Sequence, residues 1–284
     1  MRSVIMEEPG KVVVNEVEKP TLLEPTDAII KLAASCICGS DLWPYRGADA
    51  EPVDHRSMGH EYIGEVIEVG DDVKTVKPGD FVVGSFCISC GECATCRDGY
   101  PSRCLKAIAA GDDSIGMRSN GTQAEYARIP FADGTLVKTP AYPTAEQIPH
   151  LMAASDVLGT GWYAADAAKA GPGKAIVVVG DGAVGLGAVI GAKQLGAEKI
   201  IMMSRNPKRQ ELAKQFGATH VVEERGEEGI AKVLELTDGV GAHGVVEAVG
   251  TQQAFDQALG CVRHGGYIGF VGVPHDSSIG TDVL

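Results

Sequence analysis

Four cysteines on a short stretch could hold a metal ion. Cys90, Cys93, Cys96 and Cys104 follow the spacing C-x2-C-x2-C-x7-C. Four thiolates complete the tetrahedral coordination of zinc and leave no open position, so the spacing predicts a structural zinc site. An iron–sulfur cluster is one alternative, but its bacterial spacing ends in C-x3-C-P, whereas here the last gap is seven residues and Leu105 follows. Disulfides are the other alternative, and a compartment that keeps thiols reduced disfavours them.

Three separate segments carry a second set of side chains that could bind a metal. They read CICGSD (36–41), GHEYIG (59–64) and SDVLGTG (155–161), and they offer a thiol, an imidazole and a carboxylate. Three such ligands leave one coordination position of zinc open, which is the arrangement of a catalytic zinc. Each segment alone is weak evidence, because a lone Gly-His-Glu is more often a turn and a lone Asp before an Ala-rich helix is more often its N-cap.

A glycine-rich motif predicts a dinucleotide site. The hexapeptide GDGAVG at 180–185 follows the apolar run AIVVV and precedes a helical pattern. In this context a G-x-G-x-x-G loop lets the backbone approach a pyrophosphate at a helix N-terminus. We expect the cofactor to contact Gly180, Gly182, Ala183, Val184 and Gly185.

The end of the next apolar run bears on which dinucleotide binds. An acidic residue at this place accepts a hydrogen bond from the ribose 2′-hydroxyl of NAD, whereas an arginine accommodates the 2′-phosphate of NADP. Here Ser204 and Arg205 follow the run KIIMM. The pair favours NADP over NAD, and the alternative is that Arg205 simply faces solvent.

Taken together, these motifs resemble the zinc-dependent medium-chain alcohol dehydrogenases from the first residues to the last. The resemblance implies that Cys38, His60 and Asp156 hold a catalytic zinc, with Glu61 as an occasional fourth ligand. Cys36 stands two residues too early to match the motif. Such enzymes oxidise an alcohol to an aldehyde or ketone, with zinc as the Lewis acid and a nicotinamide cofactor as the hydride acceptor.

The resemblance also implies roles for residues beside these ligands. Ser40 falls where the family relays the alcohol's proton, and Asp41 would hydrogen-bond the ring of His60. Many members pass the proton onward through a histidine five residues after the ligand cysteine, but Trp43 stands there. Trp43 is expected either to line the substrate pocket or simply to pack.

Two kinds of hydrophobic pattern must position these motifs. As far as about residue 140, short β-rich runs are separated by turn residues, which predicts an all-β, barrel-like body. The runs are VVVNEVE, DAIIKLAAS, EYIGEVIEVG, DFVVGSF and QAEYARI. From about residue 174 five strand-like runs alternate with helical stretches, which predicts a parallel sheet. These runs are KAIVVVG, KIIMMS, THVVE, GVVEAVG and YIGFVGV.

The fold class expected is therefore α/β with a β-rich domain. A GroES-like barrel with the zinc ligands would span residues 1–152, and a doubly wound Rossmann domain would span 153–284. The Ala-rich stretch 153–170 is predicted to form a helix between them, with a ligand cleft at the junction.

Composition limits the partners and the location. The chain has 25 Lys and Arg against 38 Asp and Glu, a net charge of −13 that would repel nucleic acid. The N-terminus lacks the apolar run of a signal peptide, so a cytoplasmic location is expected. The apolar run 176–192 contains Asp181 and five glycines, and we interpret it as a strand, a loop and a helix rather than a membrane span.

The end of the sequence gives a further expectation. A doubly wound dinucleotide fold has six strands, and five are visible here. We expect that the chain is part of a longer, oligomeric product. The partner expected is a small alcohol or carbonyl compound, and the alternative function is that of a non-catalytic nucleotide- and zinc-binding relative. A complete ligand set favours the enzyme.

Overall fold

The computed structural model describes residues 1–48, 55–109 and 121–274. The chain divides into two compact units, Met1–Asp156 and Val157–Leu284. Each unit is built around its own sheet structure.

The first unit contains two antiparallel sheets. Its strands are β1 (Arg2–Glu8), β2 (Lys11–Glu16), β3 (Ala28–Ser35), β4 (Arg56–Ser57), β5 (Tyr62–Val69), β6 (Phe81–Gly84), β7 (Tyr126–Ile129) and β8 (Leu136–Lys138). Five strands pair in the order β7-β3-β5-β6-β8, and a smaller sheet pairs in the order β2-β1-β4. The buried apolar face of the larger sheet, with Ile30, Val66 and Val82 at its centre, forms the core.

The first unit is β-rich as predicted, but the expectation of an all-β body was wrong. In its described residues four short α-helices lie between strands, namely α1 (Leu42–Tyr45), α2 (Ala94–Arg97), α3 (Leu105–Ala109) and α4 (Ala132–Thr135), and α5 (Ile148–Ala153) follows the last strand. Helices of one or two turns are formed by tertiary contacts rather than by propensity, so they leave no periodic pattern in the sequence.

The second unit has the predicted alternation of strands and helices. Its elements are α6 (Val157–Ala167), β9 (Ala175–Val179), α7 (Ala183–Gln194), β10 (Lys199–Met203), α8 (Pro207–Phe216), β11 (His220–Val222), α9 (Gly226–Leu236), β12 (Ala242–Glu247), α10 (Gln252–Cys261) and β13 (Val262–Phe270). All pairings in its five-stranded sheet are parallel, in the order β11-β10-β9-β12-β13.

The apolar run that begins at residue 176 forms β9, the glycine-rich loop and α7, as predicted. Strand β9 is central in its sheet, and both of its faces are buried in apolar clusters. Among the helices in the described ranges, none combines the length and the apolar character needed to cross a membrane.

The predicted helix over 153–170 is interrupted. Helix α5 ends at Ala153 and α6 begins at Val157. The Ser155 hydroxyl donates to the carbonyl of Met152 at 2.8 Å, and the carbonyl of Ser155 accepts from the N–H of Phe86 at 3.2 Å. These bonds replace the helical ones, because the chain turns here to place Asp156.

Helices α6 and α7 pack closely because glycines face each other across their contact. A Cβ on Gly161 would lie 2.4 Å from the backbone nitrogen of Ala188, and one on Gly187 would lie 2.8 Å from the carbonyl oxygen of Val157. Gly159, on the same helix as Gly161, is exposed, and a Cβ there would have no atom within 4 Å.

We predict that Gly161→Ala destabilises the protein and that Gly159→Ala does not. Overpacking at residue 161 should cost about 1–3 kcal/mol of unfolding free energy. The matched change at residue 159 should stabilise by roughly 0.5–1 kcal/mol, because alanine loses less backbone entropy in a helix. Urea unfolding of both variants measures the difference, and equal free energies would contradict the close contact.

Candidate metal and nucleotide sites

The four-cysteine loop brings its thiols together in the first unit. The sulfur atoms of Cys90, Cys93, Cys96 and Cys104 all lie within 4.8 Å of one another. The Cys93 Sγ is 3.4 Å from that of Cys96 and 4.0 Å from that of Cys104. Tetrahedral zinc with Zn–S bonds near 2.3 Å places its sulfurs about 3.8 Å apart, so the cluster fits this ion. A disulfide would need about 2.05 Å, and all four cysteines are free.

Backbone N–H groups point at these sulfurs. Cys90 donates to the sulfur of Cys104 and Cys93 to that of Cys90, both at 3.3 Å. Contacts with the Thr95 hydroxyl and the Cys96 backbone lower the pKa of Cys93 to about 5. Burial and the neighbouring Cys93 raise the pKa of Cys96 to about 12. The loop therefore favours a thiolate at Cys93, and a cation is needed before Cys96 ionises readily.

The second candidate site lies in the same unit, at the ends of three elements. Cys38 follows β3 and immediately precedes the one-turn 3-10 helix Gly39–Asp41. His60 and Glu61 directly precede β5, and Asp156 lies between α5 and α6. The ligand atoms of these four residues all lie within 4.8 Å of one another.

Distances within this cluster suit a small divalent cation. His60 Nε2 lies 3.4 Å from Asp156 Oδ2, and Cys38 Sγ lies 4.0 Å from the same oxygen. Ligands of tetrahedral zinc are separated by about 3.3–3.5 Å for these atom types. A zinc ion would therefore fit after the cysteine moves by a few tenths of an ångström.

The charges of the cluster favour a cation as well. Burial alone would lower the pKa of His60, but its contacts with Asp156, Asp41 and Cys38 raise it to about 12. Burial and the charge of Asp156 raise the pKa of Glu61. The negative potential that keeps a proton on His60 would also stabilise a metal ion in its place.

Asp41 faces the imidazole of His60, but the two groups are too far apart for the hydrogen bond that was expected between them. Its Oδ2 accepts from the N–H of Cys38 at 2.8 Å and from the Gln123 side chain at 3.2 Å, and its Oδ1 lies 3.6 Å from His60 Nδ1. These contacts turn Nδ1 toward Asp41 and Nε2 toward the other ligands. Gln123 was missed by sequence reasoning, since a lone glutamine on a loop carries no motif.

Gly59 explains part of the G-H-E motif. It has φ of +93°, and a Cβ there would lie 2.7 Å from the backbone nitrogen of Gln123. Only glycine combines that dihedral with such a close approach. The residue therefore lets the chain turn so that His60 points inward.

The remaining predicted residues of this region lie around the cluster. The Ser40 hydroxyl is 3.4 Å from His60 Nε2, on the side of the ring that faces the other ligands. Trp43 is half-buried in α1, with the guanidinium of Arg46 5.7 Å from its ring centre. Burial and Glu61 raise the pKa of Cys36, which stays outside the ligand group.

The glycine-rich loop forms a cradle at the start of α7. Gly180 has φ of +111°, and Gly182 is the N-cap of α7. A Cβ on Gly185 would lie 1.8 Å from the carbonyl oxygen of Gly180, so this glycine is required by packing. A Cβ on Gly182 would have no protein atom within 4 Å, which leaves room for a ligand at the helix N-terminus.

A cavity of about 310 Å³ adjoins this loop in the second unit. Gly180, Gly182 and Ser204 are among its lining residues, whereas Ala183 and Val184 form the first turn of α7. Ser204 is buried, and Arg205 is exposed beside it. The cavity and the cradle together suit the adenosine and pyrophosphate parts of a dinucleotide.

Dehydrogenase family models match residues in both units of the chain. A family model described as an alcohol dehydrogenase GroES-like domain matches residues 24–141, and one described as a zinc-binding dehydrogenase matches residues 183–283. Zinc-type alcohol dehydrogenase B of Aspergillus flavus is 38% identical, with 98% of this chain and 65% of the relative covered. A medium-chain reductase/dehydrogenase of Acremonium sp. is 34% identical, with 98% of this chain and 95% of the relative covered. The chain thus spans just under two thirds of the first relative and nearly all of the second.

Solved structures give the same result. An alcohol dehydrogenase from Thermus sp. ATN1 has a TM-score of 0.85 and 34% identity, covering 100% of this chain and 80% of the other. A proposed zinc-binding dehydrogenase from Sinorhizobium meliloti bound to NADP has a TM-score of 0.80 and 26% identity, covering 98% and 78%. The predicted combination of a GroES-like domain and a Rossmann domain is confirmed.

We predict two zinc ions per chain in reconstituted protein. Cys38→Ala should remove one ion and lower the melting temperature less than Cys93→Ala does, because hydrogen bonds through Asp41 and Gln123 also hold this segment in place. Cys93→Ala should remove the other ion and lower the melting temperature by about 5 °C or more, because the metal holds the loop 90–104 together. Elemental analysis and calorimetry measure both effects, and a wild-type content below about 1.5 zinc per chain would contradict the assignment.

Proposed function

Because the chain belongs to the zinc-dependent medium-chain alcohol dehydrogenase family, we propose that it interconverts a small alcohol and the corresponding aldehyde or ketone with a nicotinamide cofactor. The observation that carries the proposal is the convergence of Cys38, His60 and Asp156 with ligand atoms within 4.8 Å. Three protein ligands of this kind leave a coordination position for the substrate oxygen. The chain covers 65% of the length of its Aspergillus relative, and the ligands on which the proposed activity depends lie within the matched chain.

We assign the two units different tasks. The catalytic domain would comprise residues 1–152 together with the Asp156 ligand, and the nucleotide-binding domain would comprise the remainder from residue 153. Four cysteines would hold the structural zinc: Cys90, Cys93, Cys96 and Cys104. Glu61, which lies in the ligand group of the other site, would be an occasional fourth ligand there.

The side chains near the catalytic metal would handle the proton. A zinc ion held by Cys38, His60 and Asp156 would supply Lewis-acid chemistry, and a nicotinamide cofactor bound by the second unit would supply the hydride acceptor. Ser40, with its hydroxyl 3.4 Å from His60 Nε2, would take the proton from the substrate. Asp41 would keep the imidazole oriented for metal binding. Trp43 occupies the place of the usual histidine, so the proton would continue to water or to another group.

We infer that the second unit binds NADP. Ser204 and Arg205 at the end of β10 favour NADP, and the Sinorhizobium relative was solved with NADP bound. Gly180, Gly182, Ala183, Val184 and Gly185 would hold the pyrophosphate at the start of α7. NAD is the alternative cofactor.

The proposal also covers the location of the protein and its association with a second copy. The grouping of six of the eight free cysteines near the two metal-binding clusters, instead of in disulfides, supports a compartment that keeps thiols reduced, and we infer the cytoplasm. Strand β13 is at an edge of its sheet and carries exposed Tyr267 and Phe270, which supports association with a second copy.

The proposed activity is tested with an alcohol panel. We expect the purified protein to reduce NADP or NAD when supplied with primary and secondary alcohols. Asp156→Ala should lower kcat by at least about a hundredfold. It should leave nucleotide affinity within about twofold, because Asp156 belongs to the other unit. The complete ligand set disfavours the alternative of a non-catalytic relative. Absence of any alcohol-dependent turnover in zinc-loaded protein would favour that alternative.

The glycine-rich loop gives a separate prediction. Gly182→Val should keep the melting temperature, because the free protein has space for the added atoms near Cβ. The same substitution should weaken nucleotide binding by roughly tenfold or more, because the backbone can no longer approach the pyrophosphate. Gly185→Val should instead lower the melting temperature, since its Cβ would meet the Gly180 carbonyl at 1.8 Å. Calorimetry and nucleotide titration separate the two roles.

A further inference from the structure

A carboxylate stands beside the residue that occupies the usual position of a ribose-binding acid. Asp181 is the second residue of the glycine-rich loop, and it lines the cavity of the second unit together with Ser204. Its Oδ2 accepts a hydrogen bond from the Ser204 hydroxyl at 2.6 Å. The acid expected at the end of β10 is absent from the sequence there, but a carboxylate from the loop reaches the same place.

The donor proton of the Ser204 hydroxyl is already used. The hydroxyl donates its only proton to Asp181, and it accepts from the N–H of Asn206 at 3.3 Å. A phosphate oxygen needs a donor, so Ser204 can serve a 2′-phosphate only by taking its proton away from Asp181. A ribose 2′-hydroxyl is itself a donor, and it can be accepted by Asp181 without any such change.

We propose that Asp181 determines cofactor choice: its carboxylate accepts the 2′-hydroxyl of NAD and opposes the 2′-phosphate of NADP. This inference rests on the proposed function, in which the cavity beside the glycine-rich loop binds a nicotinamide dinucleotide. It assigns to one chain two opposing determinants, namely the Ser204–Arg205 pair that favours NADP and the loop carboxylate that favours NAD.

The surroundings keep Asp181 charged. Arg209 on α8 pairs with its Oδ1 at 2.8 Å. Burial alone would raise the pKa of Asp181, but the hydrogen bonds from Ser204 and Arg209 hold it below its usual value. An incoming phosphate would therefore meet an ionised carboxylate. It would also compete with Asp181 for the guanidinium of Arg209.

The other charged side chains that border the cavity do not contact Ser204, beside which the ribose 2′ group is expected. Glu223, Glu224 and Arg225 also border the cavity. The Glu223 carboxylate accepts from the side chain of Gln210 at 3.2 Å. Asp181 differs from these carboxylates because it is bonded directly to Ser204, at the end of the strand where the ribose is recognised.

The test is Asp181→Asn, with Glu211→Gln as the matched control. Both changes remove one negative charge from the second unit and keep the side-chain size. Glu211 is exposed on α8, where it pairs with Lys214, outside the cavity lining. Isothermal titration of the full zinc-loaded chain would use NAD and NADP, together with 5′-AMP and adenosine 2′,5′-bisphosphate, which differ only in the 2′-phosphate.

Asp181→Asn should shift the NADP to NAD affinity ratio toward NADP by about tenfold or more, as expected for a charged hydrogen bond lost on one side and a repulsion removed on the other. The ratio for adenosine 2′,5′-bisphosphate over 5′-AMP should shift in the same direction, and Glu211→Gln should change either ratio less than twofold. If Asp181→Asn does not fold, Asp181→Ala provides the same comparison.

Three results would overturn the inference, and they differ in what they imply for the proposed function. An unchanged ratio in a variant that still binds both dinucleotides would refute the role of Asp181 and leave the proposed function intact. Failure of the wild-type chain to bind either dinucleotide would refute the proposed nucleotide site itself, and the inference with it. An equal shift in Glu211→Gln would show that net charge, rather than the Asp181 contact, sets the preference.

Discussion

Negative charge gathered at half-buried positions is the constraint on which the first unit depends. Four thiols lie within 4.8 Å of one another in one cluster, and a thiol, two carboxylates and an imidazole do so in another. Like charges at such distances repel strongly where water is partly excluded. Burial and the neighbouring Cys93 raise the pKa of Cys96, and contacts with Asp156, Asp41 and Cys38 raise the pKa of His60, so both clusters favour bound protons. A divalent cation bound in each cluster would attract the ligands and outweigh their mutual repulsion. In the four-cysteine cluster it would hold one loop together, and in the other cluster it would link three separate segments.

The fold could be predicted where a periodic pattern carried it. In the second unit the strands β9, β10 and β12 are buried on both faces, so their apolar runs are nearly continuous and could be identified. The short helices of the first unit left no pattern, and the two-residue strand β4 is too short to show one. The break before α6 could not be predicted either, because it depends on a hydrogen bond between Ser155 and the distant Phe86.

The candidate sites divide in the same way. The spacing of the cysteine loop encodes its geometry, so this cluster could be proposed from the residues alone. Cys38, His60 and Asp156 are far apart in sequence, and only the family resemblance grouped them before the structure did. Gln123, which contacts Asp41 from 82 residues away, could not be found by either route. A signal did exist for Asp181, since a carboxylate inside a phosphate-binding loop is unexpected.

The second unit has to solve the opposite electrostatic problem, because it must receive an anion in a chain of net charge −13. The cradle at the start of α7 meets this need with backbone N–H groups and the helix dipole, which no side-chain substitution elsewhere can neutralise. Charged side chains can then discriminate between the 2′-hydroxyl of NAD and the 2′-phosphate of NADP. At that point Asp181, Ser204 and Arg209 form one hydrogen-bonded group, so the preference belongs to the group rather than to Ser204 alone. The residue at the end of β10 predicts cofactor choice only when no side chain from elsewhere contacts it. Here Asp181 contacts Ser204.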